Sequence, residues 1–165
     1  MSLCDNRPQP ASILLVEDNQ VQTLLVKTAL VDLPQLHLAQ VAKDGVAAIE
    51  FLRREVQSVH GQLPDLILLD INMPNKDGFE VLAELKADPV LRRLPVVVFS
   101  TSDSQEDIER AYEEGASSFI TKPVTLDDLT HVLSRIAEYW TETARLPTNL
   151  QASREARPRV WLSAS

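Results

Sequence analysis

The sequence predicts an α/β fold built on a parallel sheet, and three observations support this prediction. Short apolar runs alternate with segments of helical periodicity five times along the chain. Most of these runs are apolar at every position, which is typical of parallel strands that helices cover on both faces. Polar residues follow the runs, and open parallel sheets bind ligands where the carboxyl ends of their strands meet. The alternation therefore indicates right-handed βα crossovers with helices on both sides of the sheet.

The elements follow one another in regular order. Strands are predicted near residues 12–17, 36–42, 64–70, 95–100 and 118–121, and helices near 20–32, 45–58, 77–87, 103–114 and 126–143. Asp44 and Asp103 are predicted N-caps of the second and fourth helices, because their carboxylates can accept from free amide groups. Gly115 is the predicted left-handed C-cap of the fourth helix. In that helix the spacing of Ala111 and Tyr112 predicts that both lie on its apolar face.

Length and composition predict one globular domain between two polar arms. The chain has 165 residues, 44% of them hydrophobic and 24% charged, which is ordinary for a folded domain. We expect a disordered arm at residues 1–11, the domain at 12–143 and a flexible basic tail at 144–165. Residues 1–143 hold 12 Lys and Arg against 23 Asp and Glu, whereas the tail holds four Arg and one Glu. An acidic domain argues against nucleic-acid binding, which requires a basic surface.

The chain shows no signal for a membrane or for secretion. No apolar run approaches the length that crosses a bilayer, and the N-terminus lacks a basic-then-apolar pattern. The single cysteine, Cys4, cannot form an internal disulfide, which is typical of proteins of the reducing cytoplasm. We therefore expect a cytoplasmic protein with no membrane association.

Four of the predicted strands lead into polar residues that the fold brings to one edge of the sheet. In chain order these are Glu17-Asp18, Asp70, Ser100-Thr101 and Lys122-Pro123. Carboxylate oxygens bind hard cations such as Mg²⁺, and an ammonium group is a compact donor to phosphate oxygens. A carboxylate can also attack a phosphoryl group to give an acyl phosphate. The set predicts a site for a divalent cation and a phosphoryl group.

These motifs resemble the receiver domain of a two-component response regulator over roughly residues 11–140. The resemblance is carried by Val16-Glu17-Asp18-Asn19, by the segment from Leu68 to Gly78 around Asp70, by Ser100-Thr101 and by Thr121-Lys122-Pro123. It implies a flavodoxin-like, doubly wound fold with strand order 2-1-3-4-5. It also implies that a sensor histidine kinase transfers a phosphoryl group to Asp70. The protein would catalyse only its own phosphorylation and dephosphorylation, and no turnover of a metabolite is expected.

The resemblance assigns the metal site and its cation. Mg²⁺, or Mn²⁺ in its place, would be bound by Asp18, Asp70 and the main-chain carbonyl of Asn72. Glu17 is one methylene longer than the aspartate often found at its position, and it is expected to act through a bound water. Lys122 would contact the phosphoryl oxygens, aimed there by a cis bond to Pro123.

The resemblance also assigns the groups that change position on phosphorylation. Ser100 lies 22 residues before Lys122, which matches the spacing of the family's switch hydroxyl, and Thr101 follows it. Phe119 is the aromatic three residues before the lysine, where many members carry tyrosine, so here the hydroxyl is missing. An ordinary core position in the fifth strand is the competing interpretation of Phe119. The surface formed by helix four, strand five and helix five would respond to phosphorylation.

A narrower resemblance points to stand-alone response regulators that act with bacterial phytochromes. It rests on the long second helix and on Lys86–Pro95, Ile120–Val124 and Tyr139-Trp140. It implies a phytochrome-type histidine kinase as phosphoryl donor, a homodimer through the helix-four, strand-five and helix-five surface, and an unidentified downstream protein.

Rival functions need residues that differ from those present. A phosphatase of the haloacid-dehalogenase type also uses an aspartate nucleophile with Mg²⁺, but it requires a second aspartate two residues on, where this chain has Asn72. A flavodoxin-like nucleotide binder needs a glycine-rich or hydroxyl-rich first turn, and Glu17-Asp18 would repel phosphate there. A receiver-like docking module without phosphorylation remains a further alternative, although the complete set of site residues argues against it.

Overall fold

The described part of the chain forms one five-stranded parallel sheet, as predicted. The computed structural model describes residues 10–147, and within this range the strand order is β2-β1-β3-β4-β5. All four neighbouring pairs are parallel. In chain order the strands are β1 (Ala11–Val16), β2 (Leu36–Ala42), β3 (Leu66–Leu69), β4 (Val96–Ser100) and β5 (Ser118–Thr121).

In the described part of the chain, five α-helices connect and follow these strands. They are α1 (Gln20–Leu30), α2 (Gly45–Gln57), α3 (Gly78–Ala87), α4 (Gln105–Glu113) and α5 (Leu126–Glu138). A 3₁₀ turn at Leu91–Arg93 precedes β4, and a π-helical turn at Tyr139–Thr143 continues α5. The fifth helix was predicted to run to residue 143, but the amide of Ala144 donates to the carbonyl of Tyr139. This five-residue hydrogen bond widens the last turn, so the regular α-helix ends at Glu138.

Two hydrophobic clusters cover the two faces of the sheet. Alternate residues of a strand point to opposite faces, so Ile13 and Leu15 join one cluster while Leu14 and Val16 join the other. Helices α1 and α5 bury their apolar residues against the first cluster, whereas α2, α3 and Ala111 of α4 belong to the second. Because both faces are covered, β3 and β4 are buried along their whole length, which explains their continuous apolar sequence.

The helix ends confirm two of the three predicted caps. Asp44 caps α2, since its carboxylate accepts a hydrogen bond from the amide of Ala47 at 2.7 Å. Gly115 follows α4 with a φ of 99°, the left-handed conformation that glycine adopts without strain. The prediction for Asp103 is wrong, because Ser104 caps α4 by accepting from the amide of Asp107 at 3.1 Å. The helix begins at Gln105, so Asp103 lies one residue too early.

The ends of the described range contact the core. β1 begins at Ala11, which is only 3% exposed, so the last residue of the predicted N-terminal arm belongs to the sheet. Leu146, in the predicted C-terminal tail, packs against the cluster that α5 covers. Residues 1–9 and 148–165 of the predicted arms lie outside the described residues. Between residues 10 and 147, no helix has both the length and the apolar character needed to cross a bilayer.

Candidate functional site

The predicted polar residues lie together beyond the carboxyl ends of the strands. Glu17 and Asp18 directly follow β1, Asp70 follows β3, Ser100 ends β4 and Lys122 follows β5. Backbone hydrogen bonds fix two of these positions: the amide of Asp70 donates to Val16 at 3.0 Å, and that of Lys122 donates to Ser100 at 2.7 Å. Because β3 lies between β1 and β4, Asp70 is central in the group.

Three carboxylates form the acidic part of the site. Glu17, Asp18 and Asp70 each offer an oxygen, and these oxygens lie within 4.8 Å of one another. Glu17 and Asp70 are buried, whereas Asp18 is exposed, so the group opens to solvent on one side. Carboxylate oxygens with room for water are the surroundings that Mg²⁺ and Mn²⁺ prefer. The three side chains therefore fit a divalent cation.

Lys122 supplies the positive charge at the base of this group. Its ammonium group forms an ion pair with the carboxylate of Glu17, and it lies 3.6 Å from Oδ2 of Asp70. The side chain of Lys122 is only 4% exposed, so water screens these contacts weakly. Glu17 also accepts a hydrogen bond from the amide of Asn19 at 3.1 Å. Its carboxylate, expected to face a metal-bound water, thus contacts the lysine directly.

The pKa of Glu17 lies above its ordinary value, chiefly because burial disfavours the charged form. The hydrogen bond and the positive charge of Lys122 lower this pKa, and the negative charge of Asp70 raises it. Two buried carboxylates thus share one ammonium group.

Ser100 lies at the other side of Asp70 and is fully buried. Its hydroxyl oxygen accepts hydrogen bonds from Nδ2 of Asn72 at 3.3 Å and from the amide of Ser102 at 3.2 Å. The amide of Asn72 donates to Oδ1 of Asp70 at 3.1 Å, which links the serine to the central carboxylate. Thr101 is exposed, so the structure, like the spacing to Lys122, distinguishes the two hydroxyls.

Comparison with known proteins identifies this arrangement. The profile of the response regulator receiver domain matches residues 13–134, a range that contains every strand-end residue described above. The chain belongs to this family. It is a receiver domain with the role of a response regulator in a phosphorelay.

Related proteins narrow the resemblance to one group of receivers. Response regulator Rcp1 of Synechocystis sp. (strain ATCC 27184 / PCC 6803 / Kazusa) is 40% identical over 145 residues, which cover 88% of this chain and 99% of Rcp1. The phosphorylated cyanobacterial phytochrome response regulator RcpA superposes with a TM-score of 0.76 at 43% identity, covering 84% of this chain and 99% of RcpA. The Mn²⁺-bound form of Rcp1 gives a TM-score of 0.71 at 40% identity, with the same coverage. These likenesses confirm the predicted resemblance to phytochrome response regulators.

The aromatic position of this receiver has a partner that the sequence pattern did not indicate. Phe119 is half-buried against the cluster of α2 and α3, and its amide donates to the hydroxyl of Tyr112 at 3.2 Å. Helical spacing predicted Tyr112 on the buried face of α4, but half of this side chain is exposed. Tyr112 instead ties α4 to the edge strand β5. The contact joins two elements, so neither element's own periodicity predicts it.

The bond between Lys122 and Pro123 corrects one prediction. No cis peptide bond occurs between residues 10 and 147, so this bond is trans and the predicted cis form is wrong for this structure. An X-Pro bond prefers trans by about 0.5–1 kcal/mol. The amide of Lys122 already continues the β4–β5 ladder by donating to Ser100, and this hydrogen bond holds the lysine backbone beside the site.

The backbone behind the central carboxylate of the receiver is tightly packed. A Cβ on Gly78 would lie 2.5 Å from the carbonyl oxygen of Asp70 and 2.5 Å from Cα of Ile71. Asp77 caps α3 by accepting from the amide of Glu80 at 2.9 Å, so the start of this helix is fixed next to Asp70. Only glycine permits the start of α3 to lie this close to the backbone of Asp70 and Ile71. This close packing restricts the movement of the backbone that carries the Asp70 carboxylate.

Proposed function

We propose that this receiver accepts a phosphoryl group on Asp70 from a phosphohistidine of a sensor kinase. The observation that carries the proposal is the arrangement around Asp70: its carboxylate is central among the strand ends, within 3.6 Å of a buried ammonium group and beside two further carboxylates. Phosphoryl transfer needs a positioned nucleophile and positive charge on the transferred oxygens. Both requirements are met by residues of this chain.

A divalent cation completes the proposed site. Asp18, Asp70 and the main-chain carbonyl of Asn72 would bind Mg²⁺ or Mn²⁺, with Glu17 contributing through a water. A bound cation would offset the negative charge that gathers when a phosphoryl group approaches the carboxylates. Mn²⁺ is present in the structure of the relative Rcp1. The exposure of Asp18 leaves the access from solvent that such an ion and its waters require.

The transfer itself is an exchange of one bond to phosphorus for another. An oxygen of the Asp70 carboxylate attacks phosphorus, the new O–P bond forms, and the P–N bond breaks with its electron pair returning to the imidazole of the kinase. Lys122 donates to a phosphoryl oxygen from its position next to Oδ2 of Asp70. Slow dephosphorylation ends the signal: water attacks phosphorus, the O–P bond to Asp70 breaks, and inorganic phosphate leaves. The protein performs these steps only on itself.

Phosphorylation is proposed to act through Ser100 and the surface of α4, β5 and α5. The Ser100 hydroxyl would donate to a phosphoryl oxygen, Thr101 would follow with the same loop, and Phe119 would change its packing. These movements would alter β4, β5 and the loop that leads into α4. The response would bias two packings of this surface that differ by a few kcal/mol. We propose that this surface forms a homodimer and binds the downstream protein.

A bacterial phytochrome is the proposed source of the phosphoryl group. The support is the likeness to the phosphorylated phytochrome response regulator RcpA, 99% of whose chain is matched, and to Rcp1, matched over 99% of its length. The likeness extends beyond the motifs of the site to the whole domain. We place both partners in the cytoplasm, in agreement with the single cysteine of the chain.

The test is phosphorylation by acetyl phosphate, read by intact mass with and without Mg²⁺. We expect a single Mg²⁺-dependent phosphoryl adduct on the wild type and none on Asp70→Asn, which keeps the size of the side chain but loses the nucleophilic oxygen. Asp77→Asn is the matched control, since asparagine caps a helix as well as aspartate does, and it should be phosphorylated like the wild type. An adduct that persists in Asp70→Asn would show that another residue accepts the phosphoryl group. Absence of any adduct would favour the docking module.

A further inference from the structure

Helix α4 is anchored to the domain mainly by polar contacts. Ala111 is its one buried residue, whereas α2 and α5 each bury four and α3 buries five. Among residues 10–147, two side-chain hydrogen bonds attach α4 to the rest of the receiver. Near its start the hydroxyl of Ser102 donates to Oδ2 of Asp107 at 2.6 Å, and near its end the hydroxyl of Tyr112 accepts from the amide of Phe119. With so little apolar burial, these hydrogen bonds help to position the helix, together with the guanidinium of Arg110, which lies 4.1 Å from the ring centre of Phe79 in α3.

Ser102 connects this helix to the fully buried hydroxyl of Ser100. Its amide donates to Oγ of Ser100 at 3.2 Å, and its own hydroxyl donates to Asp107 while accepting from the amide of Ser104 at 3.3 Å. Its carbonyl accepts from the hydroxyl of Thr121 at 3.3 Å. Backbone and side chain of Ser102 both form hydrogen bonds, so a displacement of Ser102 away from Ser100 is expected to alter its contact with Asp107.

The direction of the Ser100 hydroxyl follows from its partners. A serine hydroxyl has two acceptor positions and one proton to donate. Nδ2 of Asn72 and the amide of Ser102 both donate to its oxygen, so its proton is left to point toward a third group. A phosphoryl oxygen on the adjacent Asp70 would be such an acceptor. The position of Ser102 therefore decides how well Ser100 is prepared for the phosphoryl group.

We infer that Asp107 is a positioning residue for phosphorylation, acting through Ser102 on the hydroxyl of Ser100. The bond between Asp107 and Ser102 is short and charge-assisted, and such bonds are stronger than neutral ones. When Ser100 turns toward a phosphoryl oxygen, Ser102 follows, and Asp107 carries that movement into the first turn of α4. The inference rests on the proposed function, since it assigns how phosphorylation of Asp70 reaches α4.

The test compares Asp107→Ala and Ser102→Ala with the wild type by amide hydrogen exchange of α4, before and after phosphorylation by acetyl phosphate. We expect both variants to accept the phosphoryl group on Asp70. Without phosphate, the first-turn amides of α4 should exchange about tenfold faster, as expected for loss of one charge-assisted bond. The change in α4 exchange on phosphorylation should fall at least threefold. The double variant should resemble Ser102→Ala, because that single variant already removes the bond to Asp107 together with the bond from the amide of Ser104.

Two matched variants separate this role from a general effect on the helix. Glu106→Ala removes another acidic residue from the same first turn, and it should respond like the wild type. Ser102→Thr keeps the hydroxyl and should restore the response. If both variants are phosphorylated and the change in α4 hydrogen exchange is the same in Asp107→Ala as in Glu106→Ala, the role of Asp107 is overturned. The proposed function is unaffected by that result. A wild type that takes up no phosphoryl group would overturn the proposed function and this inference with it.

Discussion

Replacing Lys122 with methionine removes the ammonium group that Glu17 and Asp70 share. Methionine keeps a flexible apolar stem, so the main change is the loss of charge. The side chains of Glu17 and Asp70 are only 2% and 8% exposed, and neither carboxylate can regain full hydration. Removing one partner of a buried ion pair costs about 3–5 kcal/mol, because the remaining charge stays buried without compensation. We expect the free energy of unfolding of Lys122→Met to fall by about this amount in metal-free buffer.

A divalent cation should reduce this loss. In the variant Glu17 and Asp70 repel each other without a cation between them, so we expect Mg²⁺ to bind more tightly than in the wild type. Binding at 100 times the dissociation constant stabilises the folded state by about 2.7 kcal/mol. The difference in stability between variant and wild type should therefore be smaller in excess Mg²⁺ than in EDTA.

The assay is urea unfolding at neutral pH, with EDTA or excess Mg²⁺ present. Lys76→Met is the matched control, because Lys76 also pairs with a carboxylate, that of Glu84, but both side chains are about a quarter exposed. An ion pair of this kind contributes at most about 1 kcal/mol. If Lys122→Met cost no more than Lys76→Met, Lys122 would not be compensating the buried carboxylates.

The stability lost in Lys122→Met should also depend on pH. Burial already raises the pKa of Glu17 above its ordinary value of 4.5, and Lys122 opposes this rise, so its removal raises the pKa further. A carboxyl with a higher pKa in the folded than in the unfolded state binds its proton preferentially when folded. The loss should be complete at a pH above the folded-state pKa and should shrink as the pH falls toward 4.5. A loss that grows on acidification would contradict this account.

Three further substitutions test the local structure. In thermal unfolding, Asp44→Ala should lower the free energy of unfolding by about 1 kcal/mol, because it removes the N-cap of α2. Asp103→Ala should lower it by less than half as much. Equal losses in the two variants would contradict the assignment of the caps. Gly78→Ala should cost about 1–3 kcal/mol, as overpacking does, and should slow phosphorylation by acetyl phosphate, because the new methyl group displaces the backbone of Asp70. If Gly78→Ala kept wild-type stability and phosphorylation, the backbone at Asp70 and Ile71 would be shown to shift at little cost in free energy.

Much of the fold could be predicted because its signals are local. The apolar runs of β3 and β4 identify buried parallel strands without reference to any partner, and the cap at Asp44 depends on an amide three residues away. Asp18, Asp70 and Lys122 could be placed at one edge because parallel strands share their direction. The prediction for Asp103 failed for a local reason: two neighbouring polar residues could each cap α4, and Ser104 lies in the register that does.

The amino-acid sequence is enough to predict which chemical groups meet at the carboxyl ends of the strands, but the way those groups pair depends on how the elements pack. The carboxylate of Glu17 contacts Lys122, which is 105 residues away in the chain, and Asp107 and Tyr112 attach α4 to the rest of the domain through hydrogen bonds. Periodicity reports which face of an element is apolar, and a motif reports which groups are present. Hydrogen bonds and ion pairs between elements need donor–acceptor distances that vary by only a few tenths of an ångström. Only the packing of the elements against one another fixes their positions this precisely.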